Sequence, residues 1–536
     1  MTQIGILNVI AGNINGISGL PVNGNSLNSF FNNPIGIKVD NLGNIYITDC
    51  KNSVVEKLIP NSSGYELKVI AGDINGKSGL PTPGPALDSL LNIACGITVD
   101  SNGIIYVADT HNNIIEKLVP SKDGYELSII AGNTDGISGL PINGPALESY
   151  FNLPSSIAVD SKGNIYISDY LNNVIEKLVP SKDGYELSVI AGDINGKAGL
   201  PTQGPALNSL LNGPSGIDID KYGNIYIADC NNNVIEKLTP YEYGYYLTVI
   251  AGNINGKAGL PTPGPSLNSL LNSPSGVTID LMDNIYISDT KNNLIEKLFP
   301  IESGYILSSV AGNIDGTAGL PINGNALNSY LNSPEDLTTD FLGNVYISDS
   351  KNNTIEKITF IPPIPCFSEN TKILTNNGYK QIKDLQIGDM VKTLLNDYKP
   401  IVVIGKQKIE HFSCKERIKD QLYKYSVNTY SEIFEDLILT GGHSILVDKL
   451  TEEQQIKTKE YWNDLLKTDD KYRLLSVIDE KSDVYETSGI YTVYHIALDS
   501  DDCSINYGIY ANGLLVETCS IDYLKKNSNM ELYYSE

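Results

Sequence analysis

Apolar and polar residues follow a short cycle along the first two thirds of the chain. Between 96 and 130 the apolar positions fall in four runs: Gly96-Ile-Thr-Val-Asp100, Ile104-Ile-Tyr-Val-Ala-Asp109, Asn113-Ile-Ile-Glu-Lys-Leu118 and Tyr125-Glu-Leu-Ser-Ile-Ile130. Each run is short, rich in Ile, Val and Tyr, and bounded by Asx, Gly and Pro residues, which predicts four strands. Ser101-Asn102-Gly103 predicts a tight hairpin turn, because Asn-Gly accepts positive φ. The longer connection 71–95 carries Gly-Leu-Pro and then Ala86-Leu-Asp-Ser-Leu-Leu91, which predicts one helical turn.

The cycle recurs. Ala-Gly stands at 11, 71, 131, 191, 251 and 311, a period of sixty residues without insertion. Units of this size cannot bury their own cores and must stack or close into a ring. Four short strands per unit predict the blades of a β-propeller. The sixth unit ends at Phe360 without a fourth strand, and Ile4-Gly-Ile-Leu-Asn-Val-Ile10 matches Leu67-Lys-Val-Ile70. The chain start therefore completes the last blade. The expectation is an all-β, six-bladed β-propeller over 1–360, closed so that no sheet edge stays open.

The run Ala-Gly-Asp…Gly-Leu-Pro…Ala-Leu…Leu…Pro-Ser-Gly-Ile…Asp…Gly-Asn-Ile-Tyr-Ile-Ala-Asp…Asn-Asn…Ile-Glu-Lys, over 191–237, resembles NHL repeats. The resemblance implies a propeller used for binding, with a protein or peptide ligand on one face. Near-identical blades present the same groups six times, whereas catalysis needs different groups in one place. Both points favour a scaffold. Asp49, Asp109, Asp169, Asp229, Asp289 and Asp349 are expected to accept hydrogen bonds from neighbouring turns. Asn13-Ile-Asn15-Gly16 lacks the first and last carboxylates of a calcium loop and reads as an Asx turn. His111 stands where other units carry Lys, Leu or Asn, so it reads as a solvated loop residue. No metal and no cofactor is expected.

Net charge is -25. That balance argues against nucleic acid, whose phosphates call for clustered Lys and Arg. Seven cysteines in 536 residues imply no disulfide framework. The first residues show no signal peptide, and no stretch reaches the length of a membrane span. These points together predict a soluble, intracellular chain.

Composition shifts after Phe360. Both arginines, Arg417 and Arg473, and the one tryptophan, Trp462, lie beyond it. The segment 361–365, Ile-Pro-Pro-Ile-Pro, predicts a stiff linker. Four blocks follow in order: Cys366-Phe367; Ile387-Gly-Asp-Met-Val391; Thr440-Gly-Gly-His443; and Ala511-Asn-Gly513. Together they resemble the Hint domain shared by inteins and hedgehog proteins. The resemblance covers 366–519 and implies a β horseshoe that brings its two ends together. Polar insertions are expected at 411–435 and 449–487, with a surface helix over 452–464 and a loosely ordered tail over 520–536.

The resemblance implies self-cleavage. Cys366 would attack the Pro365 carbonyl and move the acyl group from nitrogen to sulfur. Thr440 would orient the scissile peptide. His443 would protonate the departing amide nitrogen, being a residue that titrates near neutral pH. His495, where relatives carry Asp or Cys, would help activate Cys366. The end reads Glu517-Thr518-Cys519 in place of His-Asn-Cys. Thr cannot cyclise as Asn does, so release by a small thiol, an amine or water is expected rather than splicing. Proline before the cysteine crowds its own carbonyl and should slow attack. Cys519 is expected either near Cys366, as a disulfide partner or an acyl acceptor, or exposed in the tail. The competing expectation is a non-catalytic propeller scaffold with an inactive Hint domain.

Overall fold

The computed structural model describes all residues except 1–4, 243, 302–303, 361–364, 412, 414–416, 418–420, 463, 528–529 and 535–536. The chain divides into two compact units, Gly5–Phe360 and Ile361–Glu536. Ile4 and all of the linker but Pro365 fall outside the described residues.

The first unit holds six antiparallel sheets of five strands each. The four long strands of a blade are those the apolar runs predict; blade one has Pro34–Val39, Ile45–Asp49, Val54–Asn61 and Gly64–Ala71. The fifth is a two-residue outer strand such as Gly84–Pro85, followed by a single 3-10 turn, Ala86–Asp88. That turn is the predicted helical one. The strands beginning each blade contact one another around the ring, and Pro334–Thr339 meets Pro34–Val39 to close it. In the sixth sheet Gly5–Gly12 pairs with Thr354–Phe360, with Leu7 opposite Ile358. Leu7 is fully buried. The chain start thus supplies the missing strand.

Polar side chains fasten blade to blade. Asn353 closes the seam between blades six and one: its Nδ2 donates to the Gly16 carbonyl at 3.0 Å, and its Oδ1 accepts the Asn33 N–H at 2.9 Å. Asn113, Asn233 and Asn293 do the same at other seams. All have φ between 54° and 57°, a left-handed conformation that Asn tolerates better than most residues.

Each predicted Asp is buried and bonded as expected. Asp109 Oδ1 accepts the Asn92 N–H at 2.9 Å and Oδ2 accepts Asn112 Nδ2 at 2.6 Å. A second carboxyl lies beside each. Glu56, Glu116, Glu176, Glu236, Glu296 and Glu356 are fully buried in the third strands. In blades one to four neither Glu oxygen has a hydrogen-bond partner among the described residues, and the neighbouring Asp adds to the upward push of burial on the Glu carboxyl. Two buried carboxylates side by side without a cation repel, which favours a proton on the pair. Ser309 bonds Glu296, and Thr354 bonds Glu356. Burial pushes Asp49, Asp109, Asp169, Asp229 and Asp289 up to about 7, against the opposing pull of their hydrogen bonds. It also holds the Glu carboxyls well above their ordinary value.

The blades are not alike at the channel. One position of the inner strands reads Lys38, Thr98, Ala158, Asp218, Thr278 and Thr338. Lys38 Nζ reaches Asp218 Oδ1 of the opposite blade at 3.0 Å, and Asp218 Oδ2 accepts the Thr278 hydroxyl at 2.8 Å. Asp336 accepts the Ile37 N–H at 3.2 Å, and burial pushes its carboxyl up to about 7. This corrects the expectation that the ring presents one set of groups sixfold. Among the described residues no group of three or more His, Cys, Asp or Glu is placed to hold a metal ion.

The second unit is a single antiparallel sheet of fifteen strands around its own apolar core. Three expectations need correction. The segments 411–435 and 449–487 contain core strands, Leu422–Tyr425 and Lys471–Leu475, and bury Tyr423, Tyr425 and Leu475. Inside the second lies the expected helix, Glu452–Trp462. The described part of the tail is ordered: Ile521–Asn527 is a helix and Glu531–Tyr534 pairs with Tyr398–His411. Ile521, Leu524 and Met530 bury enough apolar surface to hold it. Among the described residues no helix is long and apolar enough to cross a membrane.

Raised carboxyl pKa values stabilise the folded state below about pH 4, where the unfolded groups are also protonated, and that contribution is lost as pH rises past 7. The propeller's thermal midpoint, followed by circular dichroism, should therefore be several degrees lower at pH 8.5 than at pH 5.5. Glu116→Gln donates to Asp109 without titrating and should flatten part of that slope; an unchanged slope would count against the shared proton. Asn353→Ala leaves the Asn33 N–H without its acceptor and should cost about 1–3 kcal/mol in denaturant unfolding.

Candidate functional site

Strand register assembles the site. Phe367 pairs antiparallel with Leu439 on one side and with Tyr494 on the other. Antiparallel pairing then sets Cys366 opposite Thr440 and opposite His495. Three of the four sequence-predicted residues therefore meet by backbone pairing. A turn brings in the fourth, with the His443 N–H bonded to the Thr440 carbonyl at 2.9 Å.

Two reciprocal bonds hold Cys366 against Thr440. The Cys366 N–H donates to Thr440 Oγ1 at 2.9 Å, and the Thr440 N–H donates to the Cys366 carbonyl at 3.1 Å. The Phe367 ring packs edge-on against both imidazoles, with centroids at 4.4 Å to His443 and 5.4 Å to His495. The imidazoles stack on each other at 5.4 Å. Ser476 N–H and hydroxyl both bond the His443 carbonyl, fixing the turn from behind.

The contacts assign proton positions on the two rings. His443 Nδ1 lies 3.3 Å from the Ser444 carbonyl and so carries hydrogen, leaving a lone pair on Nε2. His495 Nδ1 accepts the Ile496 N–H at 2.9 Å, which puts its hydrogen on Nε2. Neither Nε2 has a hydrogen-bond partner among the described residues. Burial lowers His443 to about 3, and burial together with His443 holds His495 well below its ordinary value. This corrects the expectation of a histidine poised near neutral pH. Both shifts favour the neutral rings, and a charge on His443 disfavours one on His495.

Cys366 is 1% exposed and its thiol is pushed up by burial. Cys519 lies in the same apolar cluster, together with Leu524 and Met530 of the tail, and is likewise pushed up. Both are free thiols, so the expected disulfide between them is absent from this structure. Thr518 is engaged by Tyr507: its hydroxyl accepts the Tyr507 N–H at 2.8 Å, and its own N–H bonds the Tyr507 carbonyl at 2.7 Å.

Several supporting residues were given no role from sequence. Glu517 is buried and paired with Arg473, Nε to Oε2 at 3.1 Å. Arg473 partly offsets the upward push of burial on that carboxyl. Asn512 binds Lys372 in both directions and donates Nδ2 to the Asp436 carbonyl at 2.9 Å, next to the strand that ends in Thr440. Gly513 follows at φ 99°, and a Cβ there would fall 2.0 Å from the Glu432 carbonyl oxygen. That explains the Ala-Asn-Gly block. Nothing comparable marks the tail, which covers the two thiols.

A family model of the Hint domain matches residues 365–522, and one of the NHL repeat matches 31–57. Teneurin-4 of Mus musculus is 26% identical over 236 residues, which cover 38% of this chain and 8% of that protein. NHL repeat-containing protein 3 of Mus musculus is 25% identical over 203 residues, covering 37% of this chain and 50% of that one. The chain thus spans less than a tenth of the teneurin and half of the other relative. Among solved structures, an auxiliary nutrient binding protein from Bacteroides ovatus is similar at 14% identity and TM-score 0.49, covering 67% of this chain and 77% of its own. A structural genomics protein from Bacteroides thetaiotaomicron is similar at 20% identity and TM-score 0.48, covering 67% and 76%.

Leu524→Asp puts a charge against the thiol cluster and should loosen the tail. Alkylation of Cys366 by iodoacetamide, followed by peptide mass spectrometry, should then speed up at least roughly tenfold, as expected for a loss of burial worth over 1.4 kcal/mol. An unchanged rate would mean the tail does not guard Cys366.

Proposed function

Because the chain joins an NHL-type six-bladed propeller to a Hint domain, we propose that it cleaves itself between Pro365 and Cys366 and sets the propeller free. The bond from the Cys366 amide to Thr440 Oγ1 carries this reading. It holds the nitrogen that must leave in a fixed orientation, as near-attack geometry requires. Cys366 Sγ forms a bond to the Pro365 carbonyl carbon, and the carbon–nitrogen bond then breaks. The thiol proton passes to the nitrogen, which becomes the free amine of Cys366. No outside proton is needed.

His443 Nε2, with its lone pair open, is suited to receive the thiol proton and hand it to the nitrogen. His495 Nε2–H is suited to steady the oxyanion or the leaving nitrogen by donation. A small thiol, an amine or water then resolves the thioester. The occupied Thr518 hydroxyl supports cleavage over splicing. The freed propeller acts as a binding module for a protein or peptide.

Burial of Cys366 favours a second reading, a non-catalytic scaffold whose Hint domain is inert. Incubation of the full chain with dithiothreitol between pH 7 and 9 separates the two. The first reading expects a fragment starting at Cys366, formed faster at higher pH because more thiolate is present. Cys366→Ala should give none, and Thr440→Ala should slow release by about 10²-fold or more. A wild-type chain that stays as intact as Cys366→Ala would leave only the scaffold.

A further inference from the structure

The propeller carries a thiol pair at a seam where other blades use a hydroxyl. After the buried Asp of blades two, five and six come Thr110, Thr290 and Ser350. Each donates its hydroxyl across the seam to a proline carbonyl of the next blade: Thr110 to Pro154 at 2.8 Å, Thr290 to Pro334 at 2.7 Å, and Ser350 to Pro34. In blade one the equivalent residue is Cys50, and the next blade has Ala94-Cys95 in place of proline and its successor. The two sulfurs lie 3.3 Å apart. The inner strand of blade two is cut to Gly96–Val99, which leaves Cys95 outside the strand.

We propose that Cys50 and Cys95 form a reversible disulfide between blades one and two, with a low-molecular-weight disulfide such as oxidised glutathione as the oxidant. The sulfurs need to close by only about 1.2 Å to reach a bonded distance near 2.05 Å. Exposure sets the order of events. Cys95 is partly exposed, whereas Cys50 is buried. Cys95, as thiolate, attacks one sulfur of the oxidant and expels one small thiolate. Cys50, once deprotonated, attacks the Cys95 sulfur of the mixed disulfide and expels the second. Two protein thiols are oxidised by two electrons, one small disulfide is reduced to two thiols, and both protons go to them. The hydrogen bond to Cys95 and burial push the Cys50 thiol up, which keeps it inert until its partner is engaged. The cross-link closes a loop whose ends are 45 positions apart, so it also restricts the unfolded chain.

The test uses the full chain, oxidised glutathione, quenching with N-ethylmaleimide and tryptic mapping. The expected product joins peptides 39–51 and 78–117, leaves two of the seven cysteines unalkylated, and reverts with dithiothreitol. Cys50→Ser should stop at a glutathione adduct on Cys95. The propeller's thermal midpoint should rise on oxidation in the wild type and not in Cys95→Ser. The proposal is overturned if wild-type Cys95 keeps only a glutathione adduct, if it joins another cysteine, or if both thiols stay fully alkylated. The readout lies within the propeller, so cleavage at Cys366 does not alter it.

Discussion

A propeller blade ends in a strand with one edge unpaired unless another strand covers it. In this chain the sixth blade stops one strand short, and Gly5–Gly12 comes from the far end to pair with Thr354–Phe360. Everything else in the ring depends on that pairing. Only once the ring is closed does each inner strand have neighbours on both sides, and only then do the side chains at each seam reach their carbonyls. The same closure puts the acidic side chains out of reach of water.

That last effect has a physical cost which the ring meets by sharing protons. A buried carboxylate without a cation is expensive. Each blade offers its Asp two donors, the amide of one loop and the side chain of the nearby Asn, and then places a second carboxyl beside it. A proton held on the pair removes the repulsion between the two carboxyls. At the channel the solution differs, since Lys38 supplies a charge to Asp218 from across the ring. The Hint unit uses yet another, with Arg473 held against buried Glu517.

Much of this was legible in the chain itself. The period and the spare strand at the start marked the ring, its blade number and its closure, because each reflects an obligatory pairing of backbone groups. The Cys-Phe, Thr-x-x-His and Ala-Asn-Gly blocks marked the second unit, and strand register accounts for why Cys366, Thr440 and His495 come together. The outer two-residue strands were not legible, since two residues cannot show alternation. Nothing in Ile-Ile-Glu-Lys marks its Glu as buried, since burial there is set by the neighbouring blade. The neutral state of His443 follows from its three-dimensional enclosure, which residue type alone does not report. The tail had the polar look of a loose end; its three anchoring side chains are spaced too irregularly to read as one face.

The spare first strand has a topological consequence. Both strands of the pair that closes the ring lie between Gly5 and Phe360, so the closure belongs wholly to the propeller. A break in the chain anywhere after Phe360 removes none of it. The ring behaves like a clasp whose two halves are on the same side of the cut, and separating the two units would neither open a sheet edge nor require any blade to refold.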